Sequence, residues 1–149
     1  DLRSNTLTGD LPDGIGNLKE LREFCISGNK LSGAIPASLG NCKQLEEIHL
    51  EKNELSGPIP PALGNCDKIE SLFLNDNKLD GEIPTSLGNL KHVQEIHLQN
   101  NNLSGDIPAE LSNCERLSKI YLQENKEMSD NVPESVDTLP NLTLINLPT

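Results

Sequence analysis

The sequence predicts an α/β repeat fold, a right-handed solenoid of stacked coils with parallel strands along its concave face. The first observation is an asparagine every 24 residues, at Asn5, Asn29, Asn53, Asn77, Asn101 and Asn125. The second is that apolar residues, mostly leucine and isoleucine, occupy the same offsets around each asparagine. The third is a turn with glycine and proline at a fixed distance after it. A constant period of about 20 to 29 residues with leucines at set offsets is typical of a solenoid.

Each repeat contains a short strand. Triplets such as Ile48-His49-Leu50 alternate between apolar and polar residues, which predicts a strand whose apolar side chains point into the coil. Successive strands should stack in parallel, about 4.8 Å apart. The amide of each repeated asparagine is expected to satisfy backbone groups where the chain turns inward, so that the amides form a ladder. The first complete repeat should bury Leu18, Leu21, Phe24, Ile26 and Leu31.

The second half of each repeat has one form, exemplified by residues 56–60, Ser-Gly-Pro-Ile-Pro. A short helical turn such as residues 37–41 follows and closes at glycine and asparagine. This combination resembles the plant-specific class of leucine-rich repeats, as in receptor-kinase ectodomains and polygalacturonase-inhibiting proteins. The resemblance covers essentially the whole chain. It implies a short second sheet on the other side of the solenoid from the concave strands.

The repeats predict a single domain, 1–149. It comprises a partial repeat at 1–17, five repeats at about 18–137 and a partial last repeat at 138–149. Residues 126–133 carry one extra residue before the proline and lack the repeat glycine. The resemblance implies paired cysteines at both ends in secreted members. This chain has none there, which favours a segment of an ectodomain or an uncapped member.

The composition excludes several classes of function. The formal net charge is −11, and phosphate binding needs a basic surface, so a nucleic-acid partner is not expected. No apolar run approaches the roughly 20 residues that span a bilayer, so no membrane contact by this segment is expected. The sequence shows no Ser-His-Asp order, phosphate-binding glycine loop or metal-ligand cluster. We therefore predict neither an enzyme nor a cofactor.

The cysteines have two predicted environments. Cys42, Cys66 and Cys114 occupy an inward position that leucine fills in sister repeats, so they are expected to be small buried hydrophobes. A disulfide between Cys42 and Cys66, in neighbouring coils, stays open as an alternative. Cys25 lies at the centre of a strand triplet, and its side chain is predicted to face solvent.

The central residues of the strands form a column on the concave face, which consists of Cys25, His49, Phe73, His97 and Tyr121. The two histidines should lie about 10 Å apart with Phe73 between them. That distance is too long for one metal ion to bind both, because ligand bonds are about 2 Å. We expect an exposed stripe, with a weak zinc site at one histidine and its neighbouring glutamates as the alternative.

Acidic side chains surround this column and outnumber basic ones. Amphipathic anchors inside a charged rim are typical of protein-binding surfaces, and the excess of acids favours a basic protein or peptide as the ligand. The residues predicted to contact this partner are Glu46, Glu47, His49, Glu51, Glu70, Phe73, Glu95, His97 and Tyr121.

The resemblance implies a non-catalytic, ligand-recognising module like the ectodomain of a receptor-like kinase or receptor-like protein, at the cell surface or outside the cell. The alternatives are an inhibitor of a secreted wall-degrading enzyme and an intracellular scaffold. Ice binding is disfavoured, because the columns mix large and charged side chains. The triplets that begin at Asn102 and Asn141 are candidate N-glycosylation sites. The ligand and the oligomeric state stay open.

Overall fold

A computed structural model describes all residues from Asp1 to Thr149 and shows a stack of coils with two kinds of strand. The strands are, in chain order, β1 Thr8–Asp10, β2 Glu23–Cys25, β3 Lys30–Ser32, β4 Glu47–His49, β5 Ser56–Pro58, β6 Ser71–Phe73, β7 Lys78–Glu82, β8 Glu95–His97, β9 Asn102–Gly105, β10 Lys119–Tyr121, β11 Glu127–Met128 and β12 Leu144–Asn146. Five 3-10 turns lie between them, at Asp13–Asn17, Ala37–Asn41, Pro61–Asn65, Thr85–Asn89 and Ala109–Asn113. One α-helix, α1, spans Glu134–Asp137.

The main sheet is parallel and has six strands in the order β12-β10-β8-β6-β4-β2. Its register pairs residues 24 apart, as in His49 with Phe73 and Phe73 with His97. The last pair of strands differs: Tyr121 pairs with Asn146, 25 residues later, because the chain has one extra residue before Pro133. The predicted solenoid with parallel strands is confirmed.

A second set of short parallel strands lies in the other half of each coil, as the resemblance implies. It forms one sheet of order β11-β9-β7-β5 and a separate pair, β1-β3. The interruption lies next to β5, which carries Pro58. Proline has no backbone N–H to donate, so it weakens the pairing at this position.

The repeated asparagines join each coil to the one before it. Asn53 Nδ2 donates to Ile26 O of the preceding coil and to Leu50 O of its own coil, at 3.1 Å each. Asn53 Oδ1 accepts from the Leu31 backbone N–H at 3.1 Å. Asn77 and Asn101 repeat all three bonds, so the predicted ladder is confirmed.

The N-terminal end of the stack departs from the predicted burial. Leu18 is 51% exposed, whereas Leu90 and the three cysteines at the same repeat position are 0% exposed. Leu21 is only half-buried. The prediction of burial is wrong for Leu18, and Leu21 packs against the core without being fully buried, because no residue 24 positions earlier covers either side chain.

Cys42, Cys66 and Cys114 are fully buried, which confirms their predicted role as small core residues. All cysteines are free, so Cys42 and Cys66 form no disulfide. The Cys66 thiol donates to Leu39 O of the preceding coil at 3.4 Å. Burial raises the pKa of Cys66 to about 11 and that of Cys114 to about 11, which keeps both thiols protonated.

The prediction that Cys25 faces solvent is wrong. The residue is 8% exposed, and burial raises the pKa of its thiol. Its strand pairs with β4 on one side, opposite His49. On the other side, the Leu2 N–H donates to Cys25 O at 2.9 Å, which places the first residues of the chain next to β2. A short side chain between these two neighbours is covered even though it points away from the core.

Candidate functional site

Four rings form a continuous stack on the concave face. They come from the last residues of β4, β6, β8 and β10, which the parallel register places side by side. The centroids are 4.6 Å apart for His49 and Phe73, and 4.3 Å apart for Phe73 and His97. The next step, from His97 to Tyr121, is also 4.3 Å. We call these four rings the ring stack. The predicted alignment of its members, with Phe73 between the two histidines, is confirmed.

The ring stack is less exposed than predicted. The side chains of His49 and His97 are 18% and 15% exposed, so the expected exposed stripe is wrong. The neighbouring rings overlap, at interplanar angles of 9° for His49 and Phe73, 30° for Phe73 and His97, and 27° for His97 and Tyr121. Each ring covers the faces of its neighbours, and mainly ring edges are left for solvent.

Carboxylates contact both histidines, as their spacing in the sequence predicts. Glu47 Oε2 lies 3.2 Å from His49 Nε2, and Glu51 Oε1 lies 3.5 Å from His49 Nδ1. Glu95 Oε2 lies 3.0 Å from His97 Nε2. Alternation along the strand places each glutamate on the same face as the histidine two residues away. The result is a pair of acidic sites that border the ring stack.

Lys119 adds a cation that the sequence reasoning did not include in the site. Its Nζ donates to Glu95 Oε1 at 2.9 Å, while the other oxygen of Glu95 contacts His97. The hydrogen bond from Lys119, followed by that from His97, lowers the pKa of Glu95. The same bond to Glu95 raises the pKa of Lys119. The pair was visible in the sequence, because Glu95 and Lys119 are 24 residues apart and so lie side by side.

We expect Lys119→Met to raise the pKa of the Glu95 carboxyl, measured by carbon NMR of the side chain. The folded-state pKa of Glu95 lies below its ordinary value of about 4.3, so the contact stabilises the fold above that pH and its contribution is lost as the pH falls through the folded pKa. It is also lost as the pH rises through the raised pKa of Lys119. Lys30→Met, at an exposed position in β3, is the control. An unchanged Glu95 titration would contradict the assignment.

The remaining predicted residues lie at one edge of the concave sheet. Glu46 and Glu70 precede β4 and β6, and with Lys68 and His92 they line an open polar cavity of about 210 Å³. Arg22 Nη1 lies 3.5 Å from Glu46 Oε1 at the surface. The predicted site is thus divided: Glu47, Glu51 and Glu95 border the ring stack, whereas Glu46 and Glu70 lie to one side of it.

A further row of polar side chains follows the ring stack, two residues along each coil. It consists of Glu51, Asn75, Gln99 and Gln123, which we call the acceptor row. One oxygen of each is buried and has no hydrogen-bond partner: Glu51 Oε2, Asn75 Oδ1, Gln99 Oε1 and Gln123 Oε1. Only Glu51 was predicted as a site residue. The other three share its repeat position, so the 24-residue period was the signal that could have added them.

No group of three or more histidine, cysteine, aspartate or glutamate side chains is placed to hold a metal ion. The chain contains no helix with the length and apolar character needed to cross a bilayer.

Comparison with known proteins identifies the family. A leucine rich repeat family profile matches residues 67–126, and a second matches residues 20–42 and 44–66. The BIR2 ectodomain from Arabidopsis thaliana is 32% identical, with a TM-score of 0.76, over 96% of this chain and 70% of that one. The chain belongs to the leucine-rich-repeat family, and its repeats are of the plant type. No curated protein sequence matches it.

Two similar structures contain peptides. A plant peptide hormone receptor, RGFR1 in complex with RGF2, is 38% identical over 96% of this chain, with a TM-score of 0.93. The Arabidopsis receptor kinase HAESA ectodomain, in complex with an extended IDA peptide hormone, is 37% identical over 100% of this chain, with a TM-score of 0.93. This chain spans 23% of the first and 25% of the second.

Proposed function

We propose that this chain is a non-catalytic, peptide-binding part of a receptor ectodomain outside the cell, and that the ring stack is its principal contact surface. The observation that supports this most directly is the unbroken row of four rings, with steps of 4.6, 4.3 and 4.3 Å, along the concave face. Aromatic groups supply large contact area with little conformational entropy to lose, because stacking already fixes them. The peptide complexes of the similar RGFR1 and HAESA structures support the same function.

The charges around the ring stack favour a basic ligand. Glu47 and Glu51 lie on both sides of His49, and neither contacts a lysine or arginine. Glu95 has Lys119 as a partner, so the acidic character is strongest at the His49 end. A net charge of −11 also attracts cationic partners during encounter. A cationic residue of the ligand is therefore expected near Glu47 and Glu51, and apolar residues over the edges of Phe73 and Tyr121.

The test uses peptides selected from a random display library on the immobilised chain, with affinities measured by calorimetry. We expect the selected peptides to combine basic and apolar residues. Phe73→Ala and Tyr121→Ala should each weaken their binding by about tenfold or more, because removal of a buried aromatic anchor commonly has effects of this size. Lys78→Ala, at an exposed position in β7 of the second sheet, should have no effect.

Folding must be checked in the same samples, since Phe73 also packs between two rings. Circular dichroism and the thermal unfolding midpoint separate a lost contact from a lost fold. Folded Phe73→Ala and Tyr121→Ala variants that bind the selected peptides with native affinity would refute the assignment of the ring stack as the contact surface. Equal weakening by Lys78→Ala would refute it as well, because the effect would then not be specific to the concave face.

A further inference from the structure

The acceptor row has a feature that the peptide-binding proposal does not explain. Four neighbouring coils each place an oxygen at the same repeat position, and each oxygen is buried without a partner. Buried polar atoms in native proteins are almost always paired, because an unpaired acceptor loses its bond to water and gains nothing. A single exception is unremarkable in a chain of this length. Four such oxygens in one row, at the edge of the ring stack, form a set of acceptors that can take donors from a ligand.

Asn75 shows that the free oxygen is held in place. The residue is 8% exposed, and its Nδ2 donates to Asp76 Oδ2 at 2.6 Å. The other oxygen of Asp76 accepts from Asn100 Nδ2 at 2.6 Å. Both oxygens of Asp76 thus take amide donors, and the orientation of the Asn75 amide follows. Its Oδ1 is left as the atom available to a ligand.

The neighbours of Asn75 allow access to this atom. Neither Gln99 nor Gln123 makes a side-chain hydrogen bond within the chain, and both are half-buried. The last torsion of a glutamine side chain is broad and roughly two-fold, so the amide can rotate without breaking a hydrogen bond. Glu51 is also partly open, with 18% of its side chain exposed. Contact between a ligand and these buried oxygens requires the side chains of the row to rotate toward the concave surface.

The donors should come from a cation with several N–H groups in one plane. The row offers acceptor oxygens on coils about 4.8 Å apart, and one member, Glu51, is a carboxylate. A guanidinium group has five donors and no acceptor, and its planar fork can bond oxygens of two neighbouring coils at once. An ammonium group is a compact point charge that lacks this geometry. The distance from the ring stack, two residues along a strand or about 6.6 Å, suits the apolar stem of an arginine laid across the ring edges.

We propose that Glu51 and Asn75 form an arginine subsite, in which the guanidinium of a ligand arginine bonds the unpaired oxygens of the acceptor row. Gln99 and Gln123 continue the row and accept further N–H groups of the same ligand. This inference rests on the proposed peptide-binding function. It specifies arginine as the ligand residue that the concave face selects. Selection of the ligand by the row is separate from anchoring by the ring stack.

The test uses a small probe, so that it does not depend on any peptide ligand. N-acetyl-arginine amide is titrated into the nitrogen-labelled chain, and the side-chain amide signals of Asn75, Gln99 and Gln123 are followed by NMR. The same titration is made with N-acetyl-citrulline amide, which has the shape of arginine without its charge, and with N-acetyl-lysine amide. We expect the arginine probe to shift these signals at concentrations at least tenfold lower than either of the other two.

Glu51→Gln should weaken the response to the arginine probe at least fivefold, because it removes the carboxylate and keeps the size. Glu54→Gln makes the same change of charge at an exposed acid paired with Lys78, and should leave the response unchanged. Equal responses to the lysine and arginine probes would overturn the proposal in favour of general attraction to an acidic surface. No response of the Asn75 amide would overturn it in favour of a row filled by water. Loss of peptide binding in Phe73→Ala with an intact arginine response would separate the two proposals.

Discussion

Asn125→Ala is expected to lower the free energy of unfolding by about 4 kcal/mol. The side chain is 0% exposed. Its Nδ2 donates to Leu122 O at 2.9 Å and to Leu98 O at 3.0 Å, and its Oδ1 accepts from the Leu103 N–H at 3.0 Å. Leu98 O keeps a second donor in Asn101. Leu122 O and the Leu103 N–H have no other partner, and each buried, unpaired group costs about 1–3 kcal/mol.

Urea-induced unfolding followed by circular dichroism measures this loss. The matched control is Asn102→Ala, which removes the same side chain from an exposed position in β9 and should change the free energy of unfolding by less than about 0.5 kcal/mol. If Asn125→Ala and Asn102→Ala were equally stable, the amides would not be what holds the coils together.

Gly64→Ala is expected to cost about 3 kcal/mol or more, for a steric reason. A Cβ at Gly64 would overlap Ser86 O and lie 2.9 Å from Ser86 Cβ, on the next coil. The obstacle is backbone, so neither contact can be relieved by rotation of a flexible side chain. The two coils would have to separate, and separation would loosen the packing of Leu63 and Leu87 in the core. Forced overpacking of this kind commonly costs about 1–3 kcal/mol and sometimes more.

Gly14→Ala is the control for this substitution, because it lies in the equivalent kind of 3-10 turn with no atom within 4 Å of the added Cβ. It should be neutral or stabilising by up to about 1 kcal/mol, through restriction of the unfolded chain. The chain itself contains a related exchange. Ser112 occupies the glycine position in the fifth turn, where the next coil carries α1 in place of a 3-10 turn. A melting temperature for Gly64→Ala close to that of Gly14→Ala would show that the coils have room to move apart.

The period of the sequence was sufficient to predict the backbone and the register. A 24-residue interval determines which residues lie side by side, so the alignment of His49, Phe73 and His97 follows from counting. The glycine at position 64 and the asparagine at 125 are likewise explained by contacts that most coils repeat. These features are predictable because they depend on backbone geometry that the repeat imposes identically.

Features that depend on side-chain torsions were not predictable in the same way. The low exposure of the ring stack arises from the overlap of neighbouring rings, whose planes meet at 9°, 30° and 27°, and the sequence does not specify these angles. Cys25 was placed on the correct face, but its burial comes from the neighbouring Leu2 segment and His49. The unpaired oxygen of Asn75 depends on a bond to Asp76, the residue that follows it. The alternation of residues along a strand predicts the direction of a side chain, but it does not predict which residues cover that side chain.

The direction of the asparagine bonds has a consequence for the order in which the chain assembles during translation. Each amide reaches back to the coil made before it, as Asn53 does to Ile26 O and the Leu31 N–H. A newly synthesised coil therefore leaves the exit tunnel with the Leu31 N–H still unpaired, whereas Ile26 O already accepts from Asn29 Nδ2 of its own coil. The Leu31 N–H is paired only when the asparagine of the following coil arrives, about 22 residues later. Because synthesis runs from the N-terminus, we expect each coil to be completed by its successor as the chain is made.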